Sequence, residues 1–318
     1  MDRRRFLATS TFAALGATTG LRFSPVMAQD GSPMGVAAAR SFPIGGATVT
    51  ALSDGFLPIT PEALIGVTPE EFASLLEAAH LPGEAHPTGV NAYLVEAGGT
   101  RVLIDTGTGT AMGPGLGQLA ANMAALGIDP ASIETIVATH LHPDHVGGAL
   151  TDAGNPFSKA GLKVHAADLD FWTGGEVRKQ APAEAQGFFD IAENAVAGFG
   201  ERVETFEDGA DLGHGMTAMH LPGHTVGHSG VMLESEGDAL LIWGDIVHVP
   251  PVQFAMPEVT IGFDTDQPQA AATRAALLDQ VATDGTRVAG MHIGFPGIGW
   301  VEKRSEGYGF TPAPFPYG

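Results

Sequence analysis

Cysteine is absent from this chain of 318 residues. Its absence excludes disulfide bonds, a lipoprotein anchor, a cysteine nucleophile and every thiolate metal site. The sequence also has no Gly-x-Ser-x-Gly motif, the mark of one common class of serine hydrolases. Any transition-metal site must therefore be built from histidine and carboxylate ligands, which accept zinc, iron, cobalt or manganese.

Basic residues are scarce, with 15 Lys and Arg against 36 Asp and Glu, so the net charge is −21. Without residues 1–28, which hold four arginines and one aspartate, 11 basic and 35 acidic residues would remain, a net charge of −24. A surface this acidic repels nucleic acid and anionic membranes, so we expect neither as a partner. A small neutral or cationic molecule is the expected ligand.

The sequence also lacks a long uninterrupted apolar run, and the apolar stretch near its N-terminus is short. Arg3-Arg4-Arg5-Phe6-Leu7 precedes an uncharged stretch that leads to Val26-Met27-Ala28. A basic start, a modest apolar region and small residues at its end are typical of a cleaved export signal, and consecutive arginines are typical of the twin-arginine type. Gly16 and Gly20 interrupt the apolar stretch, which is too short to span a membrane.

We therefore predict a twin-arginine-type signal peptide over residues 1–28 and a periplasmic or secreted location without a membrane anchor. The alternative is a short basic start to an ordinary helix. We predict one domain over residues 29–318, because no linker divides it.

Strands and helices alternate along this domain, which predicts an α/β fold. Thr68-Pro69-Glu70-Glu71 has the N-cap, proline and glutamate that start a helix. Further helices are predicted near 116–127, 182–197 and 268–282, and strands at Ala47–Ser53, Asn91–Ala97, Thr100–Asp105 and Thr135–Thr139. Tyr93–Gly107 and Val231–Asp245 each look like a hairpin that ends near an aspartate. This weak duplication predicts two similar halves, with chemistry where the strand ends meet.

One segment concentrates metal-ligand chemistry. Thr139-His140-Leu141-His142-Pro143-Asp144-His145 follows an apolar strand directly. His140 and His142, two residues apart in extended backbone, point the same way, whereas Asp144 and His145 follow the bend at Pro143. Three imidazoles and one carboxylate within six residues suit a borderline cation such as zinc and are hard to explain as packing.

Three single residues at other strand ends are further candidate ligands. They are His224 in a Pro-Gly-His-Thr turn, Asp245 after Trp243-Gly244, and His292 after Gly290-Met291. Each is weak alone, but all three have glycine neighbours and follow apolar strands.

Together these residues resemble the metal-binding pattern of the metallo-β-lactamase superfamily, and the likeness covers nearly the whole predicted domain. The resemblance implies an αβ/βα four-layer sandwich, with mixed β-sheets inside and helices outside. It also implies two divalent metal ions, with zinc favoured and Co²⁺, Mn²⁺ or Fe²⁺ as alternatives. By resemblance, His140, His142 and His224 hold one ion, Asp144, His145 and His292 hold the other, and Asp245 bridges both.

The resemblance further implies that a hydroxide shared by the two metals attacks a carbonyl carbon or a phosphorus atom. We assign catalytic roles to Asp245 and Asp144, and we expect His248 to line the pocket, where it or Asp245 shuttles the proton. Asp105 is expected to orient a ligand histidine. The remaining histidines are expected to be structural or exposed: His80, His86, His165, His214, His220 and His228.

Several stretches resemble one branch of the superfamily, that of methyl parathion hydrolase. They are Trp243–His248, Val252-Gln253-Phe254, Val259–Asp266 and His292–Gly299. This resemblance implies a hydrolase of neutral lactones, aryl esters or organophosphate triesters, in a fold that is often a homodimer. Candidate aromatic residues for the pocket wall are Phe171, Trp172, Phe188, Phe189 and Phe254.

Other activities remain open. The tyrosine that quorum-sensing lactonases of another branch carry shortly after the bridging aspartate is missing, and His248 stands at that place. This disfavours a dedicated acyl-homoserine lactonase. A β-lactamase and a glyoxalase-type thioester hydrolase are the main alternatives; a persulfide dioxygenase with a single iron and a binding protein without turnover are the others.

Overall fold

The structure is a computed structural model that describes residues 38–113 and 115–315. The predicted signal peptide, residues 1–28, lies outside the described residues. Within the two described ranges, no helix is both long and apolar enough to cross a membrane.

Sixteen strands and seven α-helices make up the described chain, joined by loops and short 3-10 turns. The strands are β1 (Ala39–Ile44), β2 (Ala47–Ile59), β3 (Leu64–Ile65), β4 (His86–Ala97), β5 (Thr100–Ile104), β6 (Thr135–Val137), β7 (Gly161–His165), β8 (Val203–Phe206), β9 (Asp211–Gly213), β10 (Met216–His220), β11 (Ser229–Ser235), β12 (Asp238–Ile242), β13 (Thr260–Ile261), β14 (Arg287–Ala289), β15 (Ile298–Lys303) and β16 (Tyr308–Pro312). The helices are α1 (Pro69–Ala78), α2 (Leu119–Ala125), α3 (Pro143–Val146), α4 (Ala166–Thr173), α5 (Gln186–Ala197), α6 (Pro250–Gln253) and α7 (Gln267–Asp284).

Two seven-stranded sheets form the centre of the fold. The strand order is β1-β2-β4-β5-β6-β7-β8 in the first sheet and β16-β15-β14-β12-β11-β10-β9 in the second. In both sheets an antiparallel hairpin, β4–β5 or β11–β12, is followed by a parallel neighbour, β6 or β14. The two halves predicted from the repeated hairpin are therefore present, one in each sheet.

Alternation along the strands sorts side chains between the two sheets and the helices outside them. In β5, Val102 and Ile104 pack into the core between the sheets, whereas Leu103 packs toward the helical layer. In β12, Leu240 and Ile242 join the same inter-sheet core, and Leu241 packs with residues of α7. Since successive side chains in a strand point to opposite faces, both sheets are buried on both sides. The resulting layers confirm the predicted αβ/βα sandwich.

All four predicted helices are present, and two of them begin at a side-chain cap, Thr68 or Asp266. Thr68 and Glu71 form the predicted reciprocal capping box at the start of α1. The helices predicted near 116–127 and 182–197 are shorter than predicted, and the one predicted near 268–282 is longer, Gln267–Asp284. For example, the residues before Gln186 form a 3-10 turn, Ala183–Ala185, instead of the first turn of α5.

Candidate metal centre

All seven predicted ligands lie in loops or short helices that follow strands of the two sheets. His140 and His142 follow β6, and the short helix α3 begins next to them with Pro143 at its first position. His224 lies between β10 and β11, and Asp245 and His292 follow β12 and β14. The ends of parallel strands thus bring ligands from both sheets to one edge of the sandwich.

Three imidazoles and one carboxylate form a first group. His142 Nδ1 lies 3.0 Å from His140 Nε2 and 2.9 Å from His224 Nε2. Asp245 Oδ2 lies 3.2 Å from His224 Nε2 and 3.6 Å from His140 Nε2. These four ligand atoms lie within 4.8 Å of one another, so one cation can contact all of them.

A second group shares Asp245 with the first. It consists of Asp144, His145, Asp245 and His292. His145 Nε2 lies 3.3 Å from Asp245 Oδ1 and 3.5 Å from Asp144 Oδ2, and His292 Nε2 lies 3.0 Å from Asp245 Oδ2. The two oxygens of Asp245 therefore face both groups, as a bridging carboxylate must.

Outer hydrogen bonds determine which nitrogen of each second-group imidazole carries its proton. His145 Nδ1 lies 2.7 Å from Asp105 Oδ2, and His292 Nδ1 lies 2.8 Å from the Gly89 carbonyl oxygen. Both partners are acceptors, so each Nδ1 must donate. In the neutral imidazole, Nε2 is then unprotonated, and its lone pair faces the centre. Asp105 thus makes the predicted contact with a candidate ligand histidine.

The first group has the same arrangement. His224 Nδ1 lies 2.8 Å from Asp264 Oδ1. His140 Nδ1 lies 3.1 Å from Thr139 Oγ1, and that hydroxyl donates its own proton to Asp105. Both imidazoles therefore present Nε2 lone pairs inward.

The inner atoms fit divalent cations. Lone pairs on nitrogen face carboxylate oxygens at hydrogen-bond distance, where acceptors would repel one another unless positive charge lies between them. His145 Nε2 and Asp245 Oδ1 are buried and have no hydrogen-bond partner. Five imidazoles and two carboxylates are the donor set that zinc and similar ions prefer, and outer acceptors orient four of the imidazoles, those of His140, His145, His224 and His292.

Burial and neighbouring charge act in opposite directions on the pKa values of His145, His224 and Asp245. Burial would lower the pKa of His224, but its hydrogen bonds to Asp245 and Asp264 outweigh this and raise that pKa to about 9. For His145, Asp245 and the other nearby carboxylates likewise overcome burial and raise the pKa. Conversely, the imidazoles around Asp245 hold the pKa of its buried carboxyl well below the ordinary value, and that of His145 has the largest effect. Positive charge, as protons or as cations, is therefore favoured beside these three residues, whereas burial holds the pKa values of His140 and His142 well below the ordinary value.

Asp245 is held in place by two histidines that lie outside both groups. Its backbone N–H donates to His228 Nε2 at 2.8 Å, and His228 Nδ1 in turn donates to the Leu221 carbonyl. A Cβ on the preceding residue, Gly244, would lie 2.4 Å from His228 Nε2, and the positive φ of 62° also favours glycine there. His248 Nε2 lies 3.1 Å from Asp245 Oδ2, and its ring stacks on that of His292.

Two of the five candidate aromatic residues contact the centre. The Trp172 and Phe188 rings meet the His142 ring edge to face, at centroid distances of 5.2 and 5.9 Å. Phe171 and Phe189 are buried in the core beside the first sheet. Phe254 packs against Trp243 and Phe310. The expectation that Phe171, Phe189 and Phe254 wall the pocket is therefore not supported, because all three pack into the core, Phe254 beside α7.

The remaining six histidines lie outside both groups. His80 and His214 are exposed, whereas the other four are buried or half-buried with hydrogen bonds or ring contacts of their own. Two aspartates that support the centre were missed from the sequence. Asp264 contacts His224, and Asp168 accepts backbone N–H bonds from Leu141 and Gly227. Asp264 stands 40 positions from His224 and Asp168 stands 27 positions from Leu141, so no local pattern links either to the centre.

Comparison with known proteins yields a family match. The sequence profile described as the metallo-beta-lactamase superfamily matches residues 86–292. Thioesterase pkgB of Emericella nidulans is 32% identical over 192 residues, which is 60% of this chain and 44% of that protein. Beta-lactamase-like protein 2 homolog of Drosophila melanogaster is 30% identical over 160 residues, 50% of this chain and 47% of that protein. The chain thus spans about half the length of the curated relatives it matches.

Two solved structures are similar over most of the chain. Hydrolase AbOPH, of the beta lactamase superfamily, superposes with a TM-score of 0.84 at 31% identity, covering 89% of this chain and all of that one (100%). AidC, a dizinc quorum-quenching lactonase, superposes with a TM-score of 0.83 at 22% identity, covering 88% of this chain and 99% of that one. At that lower identity, the likeness to AidC shows a shared fold alone.

Proposed function

Because the chain belongs to the metallo-beta-lactamase superfamily, we propose that it is a binuclear metal-dependent hydrolase of neutral lactones, aryl esters or organophosphate triesters. The observation that carries the proposal is the set of outer hydrogen bonds to His145, His224 and His292. These bonds keep the proton on the outer nitrogen of each ring. Each inner nitrogen is then unprotonated, and its lone pair faces the carboxylates.

In this proposal the first ion is held by His140, His142 and His224, the second by Asp144, His145 and His292, and both by Asp245. Zinc suits these ligands best, although cobalt, manganese and iron accept the same set. When bound, two such ions would lower the pKa of water and polarise an ester or phosphoryl oxygen.

The residues around Asp245 orient this carboxylate. His228 anchors its backbone, and His248 is the neighbour of Oδ2 that is free to donate, because the Nδ1 atom of His248 has no hydrogen-bond partner. Burial of His228 and His248 excludes bulk water from this side of the centre. His248 therefore orients Asp245 by donating from Nε2, and its unprotonated Nδ1 is the atom that can receive a proton during hydrolysis.

Access to the centre is expected beside Asp144 and His142. The Asp144 side chain is 13% exposed, more than Asp245, His145 or His292 at 1–2%. Trp172 and Phe188 beside His142 offer an apolar wall for an aryl or acyl group.

Charge around the centre supports a neutral substrate. Within residues 38–113 and 115–315, no lysine or arginine side chain forms an ion pair or hydrogen bond with a side chain of either group. Arg274 comes near, but it is buried and donates to the carbonyls of Ile246, Pro257 and Val259. Within the described residues, no cationic side chain is thus held against the candidate ligands to meet the carboxylate of a β-lactam, and we therefore favour a neutral substrate.

Thioester hydrolysis is the second candidate. One of the relatives is named as a thioesterase, pkgB of Emericella nidulans. A thioester carbonyl is an electrophile of the same kind as an ester carbonyl, so the same centre can serve both.

We also propose that the protein is exported and that it forms a homodimer. The arginine-rich start and the apolar stretch within residues 1–28 support export, with residues 29–318 as one mature domain. The resemblance to the methyl parathion hydrolase branch supports a homodimer.

The test combines metal content with turnover. The purified chain is loaded with zinc and assayed on dihydrocoumarin, methyl parathion, S-lactoylglutathione and nitrocefin. We expect two zinc ions per chain, turnover of the lactone or the phosphotriester, loss with a chelator and recovery with zinc. Turnover of the thioester alone would favour the second candidate, and turnover of nitrocefin alone would refute the branch assignment. A chain that binds no metal would refute the centre itself.

A further inference from the structure

Helix α4 carries a buried carboxylate that touches neither group of candidate ligands. Asp168, in the first turn of α4, is 0% exposed. Its Oδ2 accepts the Leu141 N–H and its Oδ1 accepts the Gly227 N–H, both at 2.9 Å. Within the described residues, no lysine or arginine forms an ion pair with it. The two backbone N–H groups are the hydrogen-bond donors to this carboxylate, and the Thr225 side chain also lies beside it.

The two loops that Asp168 joins carry all three imidazoles of the first group. Leu141 stands between His140 and His142, and Gly227 follows His224 by three residues. The first loop extends from β6 in one sheet, and the second leads into β11 in the other sheet. One carboxylate thus fixes the distance between loops that belong to different sheets.

The contact is tightly packed. A Cβ on Gly227 would lie 2.6 Å from the Asp168 nitrogen, 2.8 Å from its Cβ and 2.9 Å from His165 Nδ1. His165 caps α4 from the other side, because its Nδ1 accepts the Ala167 N–H at 3.2 Å. The helix start, the carboxylate and the Gly227 backbone therefore form one rigid junction.

The second group depends on other contacts. His145 is oriented by Asp105 and His292 by the Gly89 carbonyl. Asp168 accepts a hydrogen bond from none of these residues.

We propose that Asp168 is the positioning residue of the first metal group alone. By holding the Leu141 and Gly227 amides it sets the spacing of His140, His142 and His224, and so determines the affinity for the ion these residues bind. The inference rests on the proposed metal centre. It adds that Asp168, which lies outside both groups, controls the first group only.

The test is Asp168→Asn, which preserves size but leaves one acceptor oxygen, so the amide NH₂ must face one of the two N–H donors. Zinc content is measured by mass spectrometry after dialysis against buffers of set free zinc. We expect one ion to bind as in the wild type and the other 10–100-fold more weakly, the usual range for outer contacts of metal ligands. X-ray absorption of the one-zinc form should report two imidazoles per ion, the number in the second group.

Two further variants separate this role from a general loss of folding. Asp170→Asn makes the same change on an exposed residue of α4 and should keep both affinities. Gly227→Ala disturbs the same junction without altering a charge. It should therefore weaken the binding of the same ion, even if Asp168→Asn does not fold.

Equal loss of both ions, or a remaining ion with three imidazoles, would overturn the inference. Unchanged affinities in both Asp168→Asn and Gly227→Ala would also overturn it, while the proposed function would stand. If the wild type binds fewer than two ions, the proposed function fails and this inference fails with it.

Discussion

Replacing Asp245 by asparagine is expected to abolish hydrolysis and to weaken the binding of at least one metal ion. Asp245 Oδ2 lies 3.0 Å from His292 Nε2 and 3.2 Å from His224 Nε2, so one oxygen reaches both groups. Oδ1 lies 3.3 Å from His145 Nε2 and has no hydrogen-bond partner. Asparagine has the same shape, but it lacks the negative charge and offers a single, neutral ligand oxygen.

The magnitude follows from burial. Removing one partner of a buried, compensated charge arrangement costs about 3–5 kcal/mol. Since about 1.4 kcal/mol is a factor of ten, the affinity for the affected ion should fall by roughly two to three and a half orders of magnitude. At ordinary free zinc, the variant should then hold one ion or none.

The assay pairs zinc content after dialysis with turnover on the preferred substrate of the panel. Asp152→Asn, which makes the same change on an exposed residue, is the matched control and should retain two ions and full turnover. An Asp245→Asn variant with two bound ions and unchanged turnover would refute the bridging role.

Three further predictions concern stability and specificity. Chelation of the metals should lower the melting temperature by roughly 5–10 °C, because free zinc a hundredfold above Kd contributes about 2.7 kcal/mol; equal melting temperatures with and without chelator would contradict a metal centre. Replacing His248 by asparagine should change the ratio of lactone to phosphotriester turnover while both ions stay bound, since His248 lies outside both groups; loss of an ion would instead make it a ligand. Asp54 is buried and accepts hydrogen bonds from the Thr108 hydroxyl and the backbone N–H groups of Thr108, Gly117 and Leu119. Asp54→Asn should therefore destabilise the fold by about 2–4 kcal/mol in urea unfolding, because the amide keeps one acceptor oxygen and no charge; a loss below about 1 kcal/mol would contradict this reasoning.

Much of the centre could be predicted because its chemistry is local. Four ligand-type residues stand within six positions directly after an apolar strand, and backbone geometry alone directs them to one end of that strand. The duplicated hairpins were visible because alternation and turn residues lie within 15 positions. The distant ligands His224, Asp245 and His292 were recognised from their glycine-flanked strand ends and from the family resemblance.

The supporting contacts could not be predicted in this way. Asp168 reaches the Leu141 amide across 27 positions, and Asp264 reaches His224 across 40. No periodicity joins such residues, since they meet only when helices and loops pack on the sheets. The misplacement of Phe254 has the same origin, because the sequence of a short helix does not show which side faces the core.

The sequence by itself determined the kinds of ligand and the elements that carry them. Without cysteine only imidazole and carboxylate were available, and the apolar strands end where those residues begin. The division of the ligands into two groups was expected only from the family resemblance, and the tertiary structure alone decided which nitrogen of each imidazole faces inward and which acceptors lie outside. The physical reason is that these properties depend on separations of about 3 Å between hydrogen-bonded atoms. Such separations are set only when the two sheets pack face to face and the outer acceptors orient each ring.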